Sequence, residues 1–412
     1  VSNAGTIAGN VGGIGYHSGN AATVDGDGRA GAGITFLAGG TLVNHGLVTA
    51  GSGQFGTFTA ANGVNMAGAG SIQNAGIIVG GVGAYYEGED GGGGSTGGTG
   101  VNFSGTGTIT NDGVVAGGTG GISSYSEVGG PYKGGMGGTG VSLAAASELI
   151  NHGTVQGGAG GGSYIQAYGP LLGGEGGAGV RVQAASGVLM NFGVVSGGTG
   201  GSEDLRHAGT GGTGVVLTGG GIADNAGTIT GGAGGYTYSA SVGGAGGVGV
   251  YIDGGRLDDS GTIFGGTGGF GTSVRGATGD AVKFGSAGGM LILERGGAAA
   301  GAIGGWAAGD TIDLRGIAAT SLTFANATLT LHGAGHAVVD TLFFQGTLSA
   351  ADFTLVSDGH GGTNLTDPSQ DVLSATAPGN DGAASAGAAA PGELTHGSNA
   401  FMIQLGHLPH TG

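Results

Sequence analysis

An asparagine that returns every 30 to 41 residues or so, each time two places before a glycine, constrains this chain more than any other feature. It heads the segments TLVNHGLVTAG from Thr41, SIQNAGIIVGG from Ser71, TITNDGVVAGG from Thr108 and ELINHGTVQGG from Glu148. VLMNFGVVSGG from Val188, IADNAGTITGG from Ile222 and RLDDSGTIFGG from Arg256 continue the series, and a partial copy opens at Val1. The recurring positions are Asn3, Asn44, Asn74, Asn111, Asn151, Asn191, Asn225 and, with a carboxylate in the eighth place, Asp259. A repeat of this length implies a stack of supersecondary units, none of which can bury its apolar edge alone.

Inside each copy the period is two: Leu149, Asn151, Gly153 and Val155 alternate with Glu148, Ile150, His152 and Thr154, so the first set shares one face of a strand. A second short strand follows each variable stretch, as in GVNM at Gly63, GVNF at Gly100, GVSL at Gly140 and GVYI at Gly249. The simplest expectation is two solenoid turns of about 17–20 residues per repeat, and thus roughly fifteen rungs in a rod about 70 Å long. Leu, Val and Ile would fill a narrow continuous core. The inward asparagines would form a hydrogen-bonded ladder, and the glycines would serve corners with positive φ. The fold class is therefore all-β, a parallel β-helix or β-solenoid.

Composition supports order of an unusual kind. Gly supplies 113 of 412 residues without the strict third-position pattern of collagen, while 38% of the chain is hydrophobic and only 8% charged. That is too apolar for a disordered segment. A net charge of −17 with nine basic residues excludes nucleic acid as a natural partner, because phosphate binding needs clustered Lys and Arg. Cysteine is absent, and no apolar run is long enough for a transmembrane helix.

The repeat decays after about Gly289, so residues 1–290 are expected to form the solenoid. Residues 291–367 contain alternating, β-branched and aromatic runs (GDTIDLRGI, SLTFANATLTLHGAG, DTLFFQGTL, FTLVSDGHGGTNLT) and read as a β-rich cap over the last open edge. Residues 368–412 read as an Ala/Gly/Pro linker ending in FMIQLGHL, whose Phe401, Met402, Ile403 and Leu405 would dock on this chain or on a neighbour.

The NxGxIxGGxGG repeats resemble the passenger regions of autotransporters and related haemagglutinin-like adhesins of Gram-negative bacteria. The GDTIDLRGI…FTLVSDGHGGTNLT stretch resembles the segment that ends repeat arrays in large alphaproteobacterial surface proteins. That likeness implies a right-handed β-helix, export to the cell surface or medium, and a role in adhesion, aggregation or surface coating. No series of ten-residue amphipathic strands of the outer-membrane type occurs in these residues, so a translocator would be separate or cleaved.

Candidate chemistry falls mainly on aromatic residues. Tyr16, Tyr85, Tyr86, Tyr125, Tyr132, Tyr164, Tyr168, Tyr236 and Tyr238 lie in the variable stretches, and Phe270 takes the equivalent place in the last repeat. Equivalent loops of a solenoid project from one side, so these rings are expected to form a face that binds surface glycans or other copies of the chain. A structural alternative is that they merely cover the glycine-rich corners. The weaker alternative of a polysaccharide-acting β-helix enzyme would rest on Asp253, Asp258 and Asp259 near Arg256, or on Asp358 and His360. However, the two groups are about a hundred residues apart, and Asp259 occupies the ladder position. GATGDAVKF at Gly276 is a single degenerate copy of a calcium-binding nonapeptide, so no cofactor or metal is expected beyond weak Ca²⁺ binding by acidic loops.

Overall fold

A computed structural model describes residues 1–12, 30–53, 60–87, 93–125, 132–165, 171–202, 207–238 and 242–368. The described residues belong to one compact unit spanning Val1–Val372, and the expected docking segment at Phe401, Met402, Ile403 and Leu405 lies outside them.

Each repeat makes one turn, not the two expected from its length. Asn44 pairs directly with Asn3 on one side and Asn74 on the other, in parallel register, and the same holds from repeat to repeat. The turn has three strands on three sheets. In one repeat these are Val141–Leu143, Ser147–Asn151 and Thr154–Gln156, each stacked on its counterparts above and below. The Asn-x-Gly step bends the long period-two segment into two strands on different sheets, which is why it passed for one strand. The Asn-bearing sheet contains ten parallel strands, from Ser2–Asn3 to Asp310–Leu314. At about 4.8 Å per rung this stack is about 43 Å tall, well short of the height expected from two turns per repeat.

The core is a set of side-chain columns. Leu42, Ile72, Ile109, Leu149 and Leu189 share one, Val48, Ile78, Val115, Val155 and Val195 another, and all are fully buried. Each rung adds four such side chains, and burying one of leucine size contributes about 2 kcal/mol. The asparagines form the fifth column. Asn44 Nδ2 donates to Asn74 Oδ1 at 2.7 Å, Asn74 to Asn111 at 2.8 Å, Asn111 to Asn151 at 2.8 Å, and onward to Asn191, Asn225 and Asp259. Every bond runs the same way along the stack. Asp259 stands next to Leu293, which has no acceptor to offer, and a carboxylate needs none because it only accepts. The eighth place is therefore a terminator with the hydrogen-bond polarity that the ladder requires.

The glycine-rich stretches are not merely corners. Between the third strand of one turn and the first strand of the next the chain runs out along one arm and back along another, as in Gly117-Gly118-Thr119-Gly120-Gly121 and Gly134-Gly135-Met136-Gly137-Gly138. The three-residue period matches polyproline II, an extended helix with three residues per turn and no internal hydrogen bonds. All the bonds are lateral. Gly117 N–H donates to Gln156 C=O at the base of the next outgoing arm at 2.9 Å, and Gly118 N–H to Gly98 C=O in the preceding returning arm at 2.7 Å. Gly137 and Gly138 do the same with Glu175 and Gly118, both at 2.8 Å. Outgoing and returning arms thus form a two-layer wall bonded through the backbone. Space selects glycine here: a Cβ on Gly118 or Gly138 would fall far inside contact distance of a neighbouring carbonyl, and neither residue has positive φ. Positive φ belongs to the corner before the Asn-bearing strand, as at Gly254 (φ 79°).

Parallel pairing continues past residue 290 through Gly289–Leu293 and Asp310–Leu314, then gives way to antiparallel strands. Trp306 covers the end of the core. It stacks on Phe353 at 5.7 Å, meets the edges of Phe284 and Phe344, and donates from Nε1 to Asp352 C=O at 3.0 Å.

Candidate binding surface

The lateral bonds of the outgoing arms fix which residues stand above one another. Gly83 N–H donates to Thr119 C=O, Gly120 to Ala159, Gly160 to Thr199, Gly200 to Ala233, Gly234 to Thr267 and Thr237 to Phe270. Two residues outward from these glycines, the register aligns Tyr85, Ile122, Gly162, Ser202, Tyr236 and Phe270 in one column on the outer face of the wall. Three residues inward, about 9 Å away, stand Val82, Thr119, Ala159, Thr199, Ala233 and Thr267. The first column is bulky at both ends and nearly bare at Gly162 and Ser202, so it forms a saddle.

At one end Val82, Tyr85 and Ile122 border a groove of about 460 Å³ whose floor includes Gly160, Gly161 and Gly162. At the other end Tyr236, Tyr238 and Phe270 are 47%, 64% and 65% exposed, with Val242 and Val274 beside them at 51% and 54%. Tyr236 and Tyr238 meet edge to face at 5.2 Å, and the Arg275 guanidinium lies 4.2 Å from the centre of the Phe270 ring. Exposed apolar area in a contiguous patch marks a contact surface.

Among the tyrosines named from the sequence, the register brings Tyr85 and Tyr236 into one column with Phe270. The others are distributed differently. Tyr86 pairs with Ser123, Tyr125 with Ile165, Tyr164 with Ser124 and Tyr132 with Leu171, in two small parallel sheets at the arm tips. Tyr16 and Tyr168 lie outside the described residues. Ile122, Val82, Val242 and Val274 were missed by reasoning from tyrosine content alone; counting outward in threes from each glycine pair would have found the first two.

The carboxylates considered for catalysis have structural partners. Asp258 and Asp259 are neighbours on one strand and so face opposite ways. Asp259 is fully buried in the ladder, where desolvation pushes its pKa up to about 6. Asp258 accepts from Arg256 at 2.9 Å and Arg315 at 3.2 Å, within a network that also holds Glu294 and Asp313. Asp253 Oδ1 accepts from Ala287 N–H. Asp358 Oδ1 accepts from the N–H groups of His360 and Gly362, which hold its carboxyl below the usual range. His152, exposed one place beyond the ladder, stacks on Phe192 at 5.2 Å and lies 3.2 Å from Asp112. No group of three or more His, Asp or Glu that could hold a metal ion occurs among the described residues, and no helix there is long and apolar enough to cross a membrane. No protein-family model matches this chain, and comparison with curated proteins finds no significant relative.

Proposed function

We propose that this chain is a non-enzymatic structural and adhesive protein of a bacterial surface or extracellular matrix, akin to the passenger adhesins that its repeats resemble. The observation that carries this reading is the saddle-shaped column from Tyr85 to Phe270, displayed on a glycine-rich wall whose arms are bonded to one another through the backbone. A stacked rod holds such a column rigid over several rungs, which lowers the ordering cost of binding an extended partner. Aromatic rings with polar tips suit either sugar rings or the equivalent column of another copy.

The test replaces Tyr85, Tyr236 and Phe270 with Ser together and measures adhesion of the purified protein to cells and glycan surfaces, alongside its self-association by sedimentation. Loss of one of these by about tenfold, as expected for removing contact-surface anchors, with unchanged melting, supports the reading and identifies the partner class. Unchanged adhesion and unchanged self-association would contradict it.

A further inference from the structure

The opposite side of the wall carries a second groove, of about 250 Å³, in the angle between the returning arms and the sheet that contains Val141–Leu143 and Val180–Val182. It crosses four repeats. Its floor is glycine backbone from successive returning arms, and its walls carry Asn62, Thr96, Thr99, Met136 and Thr139, with Arg181 at one end. Arg181 projects outward from Val180–Val182, and its Nε donates to Thr139 Oγ1 at 3.4 Å.

This arginine is anomalous in its surroundings. The chain holds 26 acidic residues against nine basic ones, yet no described carboxylate pairs with Arg181. Of the other described cations, Lys133 meets Glu175, Arg256 and Arg315 meet acids, Arg275 lies on Phe270, and Lys283 and Arg295, which meet no acid either, are exposed to water. Burial without a counter-charge holds the Arg181 guanidinium below its ordinary pKa. A desolvated cation is costly unless an anion answers it, and Arg181 lines the groove together with Thr139.

We propose that this groove binds a linear acidic polysaccharide, with Arg181 pairing a sugar carboxylate and the Thr96 and Thr99 hydroxyls meeting sugar hydroxyls. The lining favours sugar over protein: it is mostly hydroxyl, amide and bare backbone, with Met136 as the one large apolar side chain, whereas a protein interface has an apolar, aromatic centre. A polymer with spaced carboxylates fits a groove that offers one cation. The site is separate from the aromatic column and stands or falls apart from it.

The experiment titrates the full chain with a hyaluronan hexasaccharide, which has one carboxylate per two sugars, and with a neutral chitin hexasaccharide. The acidic probe binds, and the neutral one binds at least about tenfold more weakly, as expected for loss of a charge-assisted hydrogen bond. Arg181→Gln lowers affinity for the acidic probe by a similar factor with melting unchanged or raised, Arg181→Lys retains part of it, and the Tyr85, Tyr236 and Phe270 triple substitution leaves it intact. Should Arg181→Gln fail to fold, Thr139→Val frees the guanidinium and lowers affinity about threefold. No binding of the acidic probe, equal binding of the two sugars, or full affinity in the Arg181 variants would overturn the proposal. So would a poly-glutamate peptide that binds as tightly as hyaluronan, since it would make the ligand a protein.

Discussion

The triangular solenoid and the glycine wall are stacked by the same parallel register, yet they hold together by opposite means. In the solenoid, columns of Leu, Val, Ile and Phe exclude water, and the backbone ladders follow. In the wall there is almost no side chain to bury, and cohesion comes from N–H to C=O bonds between arms packed so closely that a methyl group has no room. A side-chain core tolerates changes of shape because neighbours can adjust. A backbone-packed wall cannot adjust, since the atoms in the way belong to the main chain.

Substitutions in the two regions should therefore rank in an order that hydrophobicity would not suggest. Gly158→Ala adds one methyl group, but its Cβ would collide with the Gly118 carbonyl. It should destabilise by ~4 kcal/mol or more, measured by chemical denaturation. A cost near that of an ordinary surface glycine would show that the wall is looser than described. Asn151→Asp should come next: it sets a carboxylate against Asn191 Oδ1, removes the donor to it and buries a charge, for about 3–5 kcal/mol. Leu149→Ala, in the solenoid core, should cost ~3 kcal/mol, less than the single methyl in the wall.

The smallest effect separates the ladder's interior from its end. At Asp259 an asparagine can still accept from Asn225 and removes the buried charge, although its Nδ2 finds no ladder acceptor at Leu293, which offsets part of the gain. The pKa of Asp259 is about 6, against 3.8 in the ordinary state, and Asp310 behaves likewise. A raised acid pKa means that the folded chain holds a proton which the unfolded chain would release. The stability gained is present below about pH 3.8 and lost as the pH rises through about 6. Asp259→Asn should accordingly be more stable than the parent at pH 8, by ~2 kcal/mol, and equal to it near pH 3.5. A pH-independent difference in melting would remove Asp259 from the account.

Much of the solenoid was legible because its information lies in side-chain identity at fixed intervals. The inward asparagines, the alternating Leu149 and Val155 and the short Gly-Val strands all stand where periodicity puts them. The number of turns was not legible. Residues 147–156 keep one alternation through a bend, and only pairing of Asn with Asn shows that the whole repeat is a single rung. The wall was misread for a related reason. Abundant glycine suggests positive φ, whereas the pairs at Gly117-Gly118 and Gly120-Gly121 recur in threes, which is a packing signal. As for the binding surface, Tyr236 and Phe270 were evident from their bulk, but Ile122 and Val82 become visible only once the arms are in register. Arg181 gave no signal in the sequence, since its significance is the lack of a carboxylate nearby in space.

Amide hydrogen exchange on the intact chain tests the central claim most directly, because the wall contains no strand and would exchange like a loop if its arms were independent. The account predicts that the amides of Gly117, Gly118, Gly120 and Gly121, and of Gly134, Gly135, Gly137 and Gly138, are protected to a degree comparable with Ile109–Asn111 in the adjoining strand. Exchange of those eight glycines at the rate of an open loop, with the strand still protected, would contradict it.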